Sequence, residues 1–298
     1  MRAVVTGGAG FIGSNLVDAL VSRGDEVVVV DDLSTGRREY LNPSASLLEL
    51  DIRDGFELGP SDTVFHLAAQ ADVQTSVQRP AHDAGINVVG TIQVLEAARR
   101  VGAQVVFAST GGAIYGECAG PADEQSSLRP MSPYGIAKLC AEEYLQGWNR
   151  IHGMRNVVLR FANVYGPRQD SSLEGGVVAI FLERLARGEA TTIYGDGLQA
   201  RDFVYVGDVV AAALAAVGKD GGVFNVGTGD DTTVLALHQA CAEVAGSGAE
   251  PTFAEARLGD IRRSVLDVSL AERELGWRPT VSLADGLRQT WAWTTASQ

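Results

Sequence analysis

"VVTGGAGFIGS", Val4 to Ser14, is the stretch whose reading decides the fold. It satisfies both Gly8-x-Gly10-x-x-Gly13 and the looser Gly7-x-x-Gly10-x-x-Gly13. Glycine lets such a turn be tight, lets a pyrophosphate approach the backbone, and lets the following helix pack closely on the strand before it. A glycine triplet alone is weak evidence, and its surroundings supply the rest. The apolar run Ala3-Val4-Val5 leads into it, and Phe11 to Arg23 has helical periodicity stopped by Gly24. Asp31 follows eighteen residues after Gly13, at the end of a second, β-branched run from Val27 to Val30.

This arrangement predicts a dinucleotide site. The helix beginning at Phe11 offers N–H groups to phosphates. Asp31, with Asp32 beside it, accepts bonds from the ribose hydroxyls of adenosine and repels a 2'-phosphate. The expected cofactor is therefore NAD rather than NADP, with Arg37 and Arg38 weighing on the other side. Asp51-Ile52, after a third strand-like run, is placed to border the adenine.

Further strand-like runs are Leu47 to Leu50, Thr63 to Leu67, Gln104 to Phe107 and Val157 to Leu159. Helical patterns lie between them, notably Asn87 to Arg100 and Pro133 to His152. The second has Ser132 as its N-cap, Pro133 at its first position and Gly153 just past its end. Such alternation predicts an α/β fold, a Rossmann-like doubly wound parallel sheet. After about Tyr165 the pattern loosens, with a polar loop, a helical stretch from Val177 to Arg187, and short strands mixed with turns from Thr191 to Val206. The expected division is residues 1–165, with return segments near 201–227, and a smaller C-terminal domain in 166–298.

The bulk composition narrows the possible partners. The 298 residues carry 24 basic and 37 acidic side chains, a net charge of -13. That surface repels nucleic acid and anionic lipid, although local arginines and backbone N–H groups still suit a small phosphorylated ligand. Cys118, Cys140 and Cys241 form neither a disulfide framework nor a metal cluster, and the four histidines are scattered, so no metal site is expected. The cysteines suit a reducing compartment. No signal peptide or membrane span is visible, and the expected location is the cytoplasm.

A second motif carries chemistry. "SPYGIAK" puts Tyr134 and Lys138 four residues apart, one turn along a helix face, so that an ammonium can sit near a phenol. A neighbouring cation favours the phenolate, and a tyrosine brought toward neutrality would act as a general base. Ser109 and Thr110 close the strand-like run "QVVFAST" some twenty-four residues before it, putting hydroxyls beside the same site.

With these motifs assembled, the sequence resembles the extended short-chain dehydrogenase/reductase family, and within it the nucleotide-sugar epimerases related to UDP-glucose 4-epimerase. "TGGAGFIGS", "DDLSTG", "HLAAQADVQTSVQRP", "INVVGTIQVLEAAR", "SPYGIAK", "RFANVYGPRQ", "IYGDGLQARDFVYVGDVV", "FNVGTG" and "RLGD" occur in the family's order. The resemblance implies an NAD-binding domain and a smaller sugar-nucleotide domain. It also implies a homodimer built on the helices near Asn87–Arg100 and Pro133–His152. The cofactor surface it implies comprises Gly7, Gly10, Phe11, Ile12, Gly13, Asp31, Asp32, Ser34, Asp51, Ile52, Leu67, Ala68, Ala69, Tyr134, Lys138 and Phe161. Tyr134 would be the base, Lys138 would hold the nicotinamide ribose, and Ser109 or Thr110 would bond the reacting sugar hydroxyl. Thr110 is preferred, although the extra glycine in "STGGAIYG" blurs the register. Asn163 would touch the diphosphate, and Val177 with Thr192 and Tyr194 would wall the nucleotide base. Arg201 and Arg257 would grip the phosphates, and Asp260 the uridine ribose.

The same resemblance gives meaning to a gap. Dehydratases of the family follow the active hydroxyl with an Asp-Glu pair, and decarboxylating relatives place a glutamate just after it. Elimination of water needs a general acid within about 3 Å of the leaving oxygen. Here Thr110 is followed by Gly111 and Gly112, and the first acid is Glu117. A base, a hydroxyl and NAD fit 4-epimerisation of a UDP-sugar through a transient 4-keto intermediate. The glucose/galactose type is favoured, and Ser264, at a position where some relatives carry a bulky aromatic, leaves room for an N-acetyl group. UDP-glucuronate, with Arg262 and Arg263 near its carboxylate, is an alternative. So is a net nucleotide-sugar oxidoreductase. From another class comes a dinucleotide-sensing module without turnover; such sensors commonly lose the Tyr-Lys pair.

Overall fold

The computed structural model describes residues 1–171, 176–256 and 261–296. Along the chain, β1 (Arg2–Thr6), β2 (Glu26–Asp31), β3 (Ser46–Glu49), β4 (Thr63–His66), β5 (Gln104–Thr110) and β6 (Val157–Phe161) are followed by four short strands. These are β7 (Asn163–Tyr165), β8 (Thr192–Tyr194), β9 (Ala200–Arg201) and β10 (Phe203–Tyr205). Next come β11 (Gly222–Val226), β12 (Thr232–Thr233), β13 (Thr252–Ala254) and β14 (Arg263–Ser264). The main sheet has seven strands in the order β11-β6-β5-β4-β1-β2-β3, and all its pairings are parallel. The strand order reverses beside β1, so a crevice opens between the carboxyl ends of β1 and β4.

A sheet covered on both faces explains the apolar runs read from the sequence. On β1, Ala3 and Val5 face one core with Leu16, Leu20, Val29 and Phe65, while Val4 faces the other with Val64, Val105, Phe107 and Leu145. The helices of the first half are α1 (Phe11–Ser22), α2 (Val73–Gln78), α3 (Pro80–Ala84), α4 (Thr91–Val101), α5 (Gly111–Ile114) and α6 (Pro133–His152). Ser132 caps α6 by accepting a bond from the Gly135 N–H, and Gly153 closes it in the left-handed conformation, as the sequence predicts. The second half contributes α7 (Val177–Ala186), α8 (Val206–Ala215), α9 (Val234–Ala245), α10 (Ser269–Leu275) and α11 (Leu283–Ala296). Phe181, Leu182, Ile193, Phe203, Leu237 and Leu287 form a separate core there.

One element differs from expectation. The helix read from Asn87 begins earlier and is interrupted: Gly85–Gly90 forms a wide π-type turn, and α4 starts at Thr91. Gly90 lies so close to Ile52 that a Cβ there would come within 2.6 Å of its Cδ1. The Thr91 hydroxyl donates to the Asn87 carbonyl at 2.7 Å, and the Asn87 amide reaches across to the Gln70 carbonyl. Packing and side-chain bonds to neighbouring segments thus override regular helix here, in a kind of distortion that clusters at functional sites. Among the described residues, no helix is long and apolar enough to cross a membrane.

Candidate active site

Backbone geometry at the end of β1 makes the floor. Gly7 has φ +72°, and a Cβ there would meet the Ala68 nitrogen at 2.6 Å; one at Gly13 would lie 2.0 Å from the Gly7 carbonyl oxygen. Larger residues at either position would force the turn apart. No side chain caps α1 and its first turn holds no acid, so its N-terminal N–H groups face the cleft. Asp31, 7% exposed, accepts from the N–H groups of Ala9 at 2.9 Å and Leu33 at 2.9 Å. Burial pushes its carboxyl up, and those two bonds oppose the shift. Its remaining lone pairs face the cleft, as a ribose hydroxyl requires.

The cleft has a volume of about 360 Å³, and every residue expected at the cofactor surface lines it. An uncapped helix N-terminus, glycines that leave no room for Cβ atoms, and a buried carboxylate one strand away fit a dinucleotide. Lining residues not singled out from the sequence include Tyr40, Ile86, Arg168, Gln169 and Gly176. Arg168 had a visible signal, the Pro-Arg-Gln that closes "RFANVYGPRQ". It adopts φ +74°, pairs with Asp18 at 2.6 Å, and keeps its buried Nη1 without a partner among the described residues.

Alternation along β5 separates the two hydroxyls. Ser109 is 4% exposed and donates to Glu142 on α6. Glu142, fully buried, also accepts two-pronged bonds from Arg160 on β6, the closest at 2.7 Å. Arg160 donates to the Tyr115 hydroxyl at 2.8 Å, and that hydroxyl donates to the Asn225 amide oxygen on β11. Ser109 therefore belongs to a buried network joining three strands to α6. Thr110, one residue on, instead has its hydroxyl near enough to Tyr134 to favour the phenolate. Ser109 lines the cleft with Tyr134 but spends its hydroxyl on Glu142, whereas Thr110 acts on the Tyr134 hydroxyl.

Tyr134 does not behave as the simple Tyr-Lys spacing predicts. Burial raises its hydroxyl to about 12, the Thr110 hydroxyl lowers it, and Asp83 raises it. Lys138, 3% exposed, donates to the Ala108 carbonyl at 2.9 Å and lies over the Phe107 ring. Burial brings its ammonium down to about 8, opposed by Asp83 and Glu142. Desolvation outweighs the expected help from Lys138, so in the protein alone Tyr134 holds its proton at neutral pH.

The glycines after Thr110 leave space. A Cβ at Gly112 would lie 3.7 Å from the Asn163 Oδ1 and 3.9 Å from the Thr110 hydroxyl, so a side chain there would project between the two. Gly111 is different, because its Cβ would strike Leu266 at 2.6 Å. Glu117 points away: its two oxygens accept from the N–H groups of Arg262 at 2.8 Å and Arg263 at 3.1 Å. The arginine side chains pair with Asp196 and Asp231.

The remaining expected substrate residues lie in the second half and outside the lining of this cleft. Val177 begins α7, Thr192 and Tyr194 lie on β8, and Arg201 lies on β9, where it pairs with Ser264 of β14. The Thr192 hydroxyl is 3.2 Å from that of Thr252. Asn163 starts β7, its N–H donating to the Asp202 carbonyl. Arg257 and Asp260 fall outside the described residues. No group of His, Cys, Asp or Glu among the described residues could hold a metal ion.

Fold and cleft together define a dinucleotide-binding α/β protein, with Tyr134 and Lys138 in the wall of its cleft. The chain belongs to the NAD dependent epimerase/dehydratase family, whose model matches residues 3–227. It is 45% identical to a UDP-glucose 4-epimerase of Mycolicibacterium smegmatis over 304 residues, covering 97% of each chain. Among solved structures, UDP-glucose 4-epimerase of Thermotoga maritima with UDP-glucose superposes at a TM-score of 0.97 and 48% identity, covering 100% of this chain and 99% of that one. The UDP-glucose 4-epimerase of Thermus thermophilus, in complex with NAD, gives 0.92 at 42% identity and covers both chains fully.

Proposed function

We propose that this protein is an NAD-dependent UDP-sugar 4-epimerase of the UDP-glucose/UDP-galactose type, with room for N-acetylhexosamines. The observation that carries the reading is the reaction centre. The Thr110 hydroxyl acts on Tyr134, one helical turn from Lys138, and the positions after Thr110 are glycines with no acid to eliminate water. Similarity to the UDP-glucose 4-epimerases over the whole chain supports the same reading.

NAD would be held by the α1 N-terminus, Asp31 and Lys138, and when bound it supplies a reversible hydride acceptor and a positively charged ring. Thr110 orients the C4 hydroxyl by hydrogen bonding, and Tyr134 takes its proton at Oη as C4 is oxidised. Lys138 holds the nicotinamide ribose and adds positive charge beside the phenol, which favours its deprotonation. Tyr134 then returns the proton after the 4-keto sugar has turned about its diphosphate tether. Asn163, Arg201, Arg257 and Asp260 would fix the nucleotide and diphosphate while the sugar turns, with Val177, Thr192 and Tyr194 against the base.

The charge pattern disfavours UDP-glucuronate, because Arg262 and Arg263 are committed to Asp196 and Asp231. Ser264, small and half-buried, suits an N-acetyl group. We further propose a homodimer through the helices around α4 and α6, where Val89 and Ile136 expose apolar side chains. Three free cysteines suit the cytoplasm.

Proton NMR of UDP-glucose, UDP-N-acetylglucosamine and UDP-glucuronate with the holoenzyme and no added reductant tests the reading. The C4 epimer of UDP-glucose should appear without net NADH. Net NADH would point to the oxidoreductase, and silence on all three to a non-enzymatic module.

A further inference from the structure

The reaction centre contains a second buried carboxylate that none of the roles above uses. Asp83 on α3 is fully buried. Its Oδ1 accepts from the Gln70 amide at 2.8 Å and the Asn87 amide at 3.0 Å, while its Oδ2 is buried with no hydrogen-bond partner among the described residues. The element carrying it packs against α6, and the adjoining π-type turn carries Ile86 into the cleft wall beside Lys138. An anion in that position needs a compensating cation.

Among the described residues near Asp83, Lys138 is the buried cation not already paired with a carboxylate. Glu142, the other buried carboxylate near Lys138, is already neutralised by Arg160. His66 on β4, fully buried, stays neutral because burial and Lys138 hold it down at about 3. His82, on the same element as Asp83, is only half-buried and is a further charge acting on it. Asp72 caps α2 and accepts from the Thr75 N–H, and Asp51 is paired with Arg53. Lys138 and Asp83 remain, each among the charges acting on the other.

We propose that Asp83 is a positioning residue of the reaction, whose carboxylate supplies the counter-charge that lets the Lys138 ammonium be buried beside Tyr134. The proposal rests on the reading of Tyr134 and Lys138 as the reacting pair. It assigns the hydrogen bonds of Gln70 and Asn87 a purpose: they aim Asp83 from the 70–72 loop and the π-type turn. A second, purely structural role for Asp83 would need only those bonds.

Asp83→Asn separates the two, because its amide oxygen can still accept from Gln70 and Asn87 and only the charge is lost. The chain has two lysines, Lys138 and Lys219, so protein carrying carbon-13 at the lysine Cε gives two resolvable signals in a pH titration. In Asp83→Asn the Lys138 midpoint should fall by about one pH unit or more relative to the unsubstituted protein, and the alkaline limb of the activity profile should move with it. A second comparison holds if Asp83→Asn folds poorly. Lys138→Met leaves Asp83 as an uncompensated buried charge, so the double variant Lys138→Met/Asp83→Asn should melt higher than Lys138→Met alone. An unmoved Lys138 midpoint, or a double variant no more stable than Lys138→Met, overturns the proposal. Absence of UDP-sugar turnover in the unsubstituted holoenzyme would instead sink the functional reading, and the lysine titration is independent of it.

Discussion

Replacing each strand-end hydroxyl in turn should give opposite phenotypes. Ser109 donates to Glu142, a fully buried carboxylate whose other bonds come from Arg160. Ser109→Ala removes one bond to a charged group, worth about 1.5–3 kcal/mol. For 298 residues, an unfolding entropy of about 2.1 cal/mol/K per residue gives about 0.6 kcal/mol/K, so Tm should fall by about 2–5 °C. Turnover should stay within about threefold of the unsubstituted enzyme, since the bidentate Glu142–Arg160 pair still joins α6 to β6. Thr110→Val keeps the β-branched shape and loses the hydroxyl that acts on Tyr134. It should cost about 100-fold in kcat, as loss of a positioned proton-transfer partner does. Tm should move by no more than about 2 °C, because the net worth of one hydrogen bond is about 1 kcal/mol. Differential scanning calorimetry and a coupled assay for the C4 epimer read both quantities. If Ser109→Ala abolished turnover at an unchanged Tm while Thr110→Val stayed active, the strand register and the roles drawn from it would be wrong.

Tyr134→Phe should lower turnover by about 10²–10⁴-fold, while NAD released on denaturation and quantified by chromatography stays stoichiometric; wild-type turnover in this variant would remove Tyr134 as the base. Gly111→Ala should destabilise by about 1–3 kcal/mol through its clash with Leu266, whereas Gly112→Ala, with its nearest neighbours at 3.7 and 3.9 Å, should melt like the parent. Equal melting of the two would contradict the packing at the strand end. His66, held at about 3 by burial, should make the native state acid-sensitive. Between its ordinary value of about 6.5 and its folded value, only the unfolded chain takes up the proton. Stability from this group is complete above pH about 6.5 and is lost as pH falls toward 3. Tm measured from pH about 7 to about 5 should therefore decline, and less steeply in His66→Gln; identical slopes would exclude His66 as the cause.

The parts legible in the sequence are those governed by local rules. The glycine turn, the parallel strands and the capped helix at Ser132 follow from residue types at fixed spacings, and the cofactor cleft follows from where the strands end. Long-range charge balance was not legible. Tyr134 and Lys138 are visible as a pair four residues apart, yet the sign of their titration depends on burial and on Asp83, fifty-one residues before Tyr134. The engagement of Ser109 by Glu142 likewise depended on the approach of α6 and Arg160, which only the folded sheet reveals. The interruption at Gly85–Gly90 came from Ile52 on another segment, a contact that no periodicity encodes.

The acid missing after Thr110 takes on a sharper meaning in the folded protein. Carboxylates are plentiful around the reaction centre among the described residues, but each is committed elsewhere. Glu117 accepts two backbone N–H bonds, Glu142 holds Arg160 and Ser109, Asp83 holds Gln70 and Asn87, and Asp202 accepts from Thr228 and Gly229. A general acid must exchange its proton with substrate, and a carboxylate whose oxygens already accept bonds from the protein is not placed to reach it. A side chain at Gly112 would reach between Thr110 and Asn163, and there the chain carries only hydrogen. What separates carbinol oxidation and return from elimination is therefore not the number of acids near the sugar. It is that these acids, among the described residues, hold parts of the fold together, while the position beside Thr110 and Asn163 is a glycine.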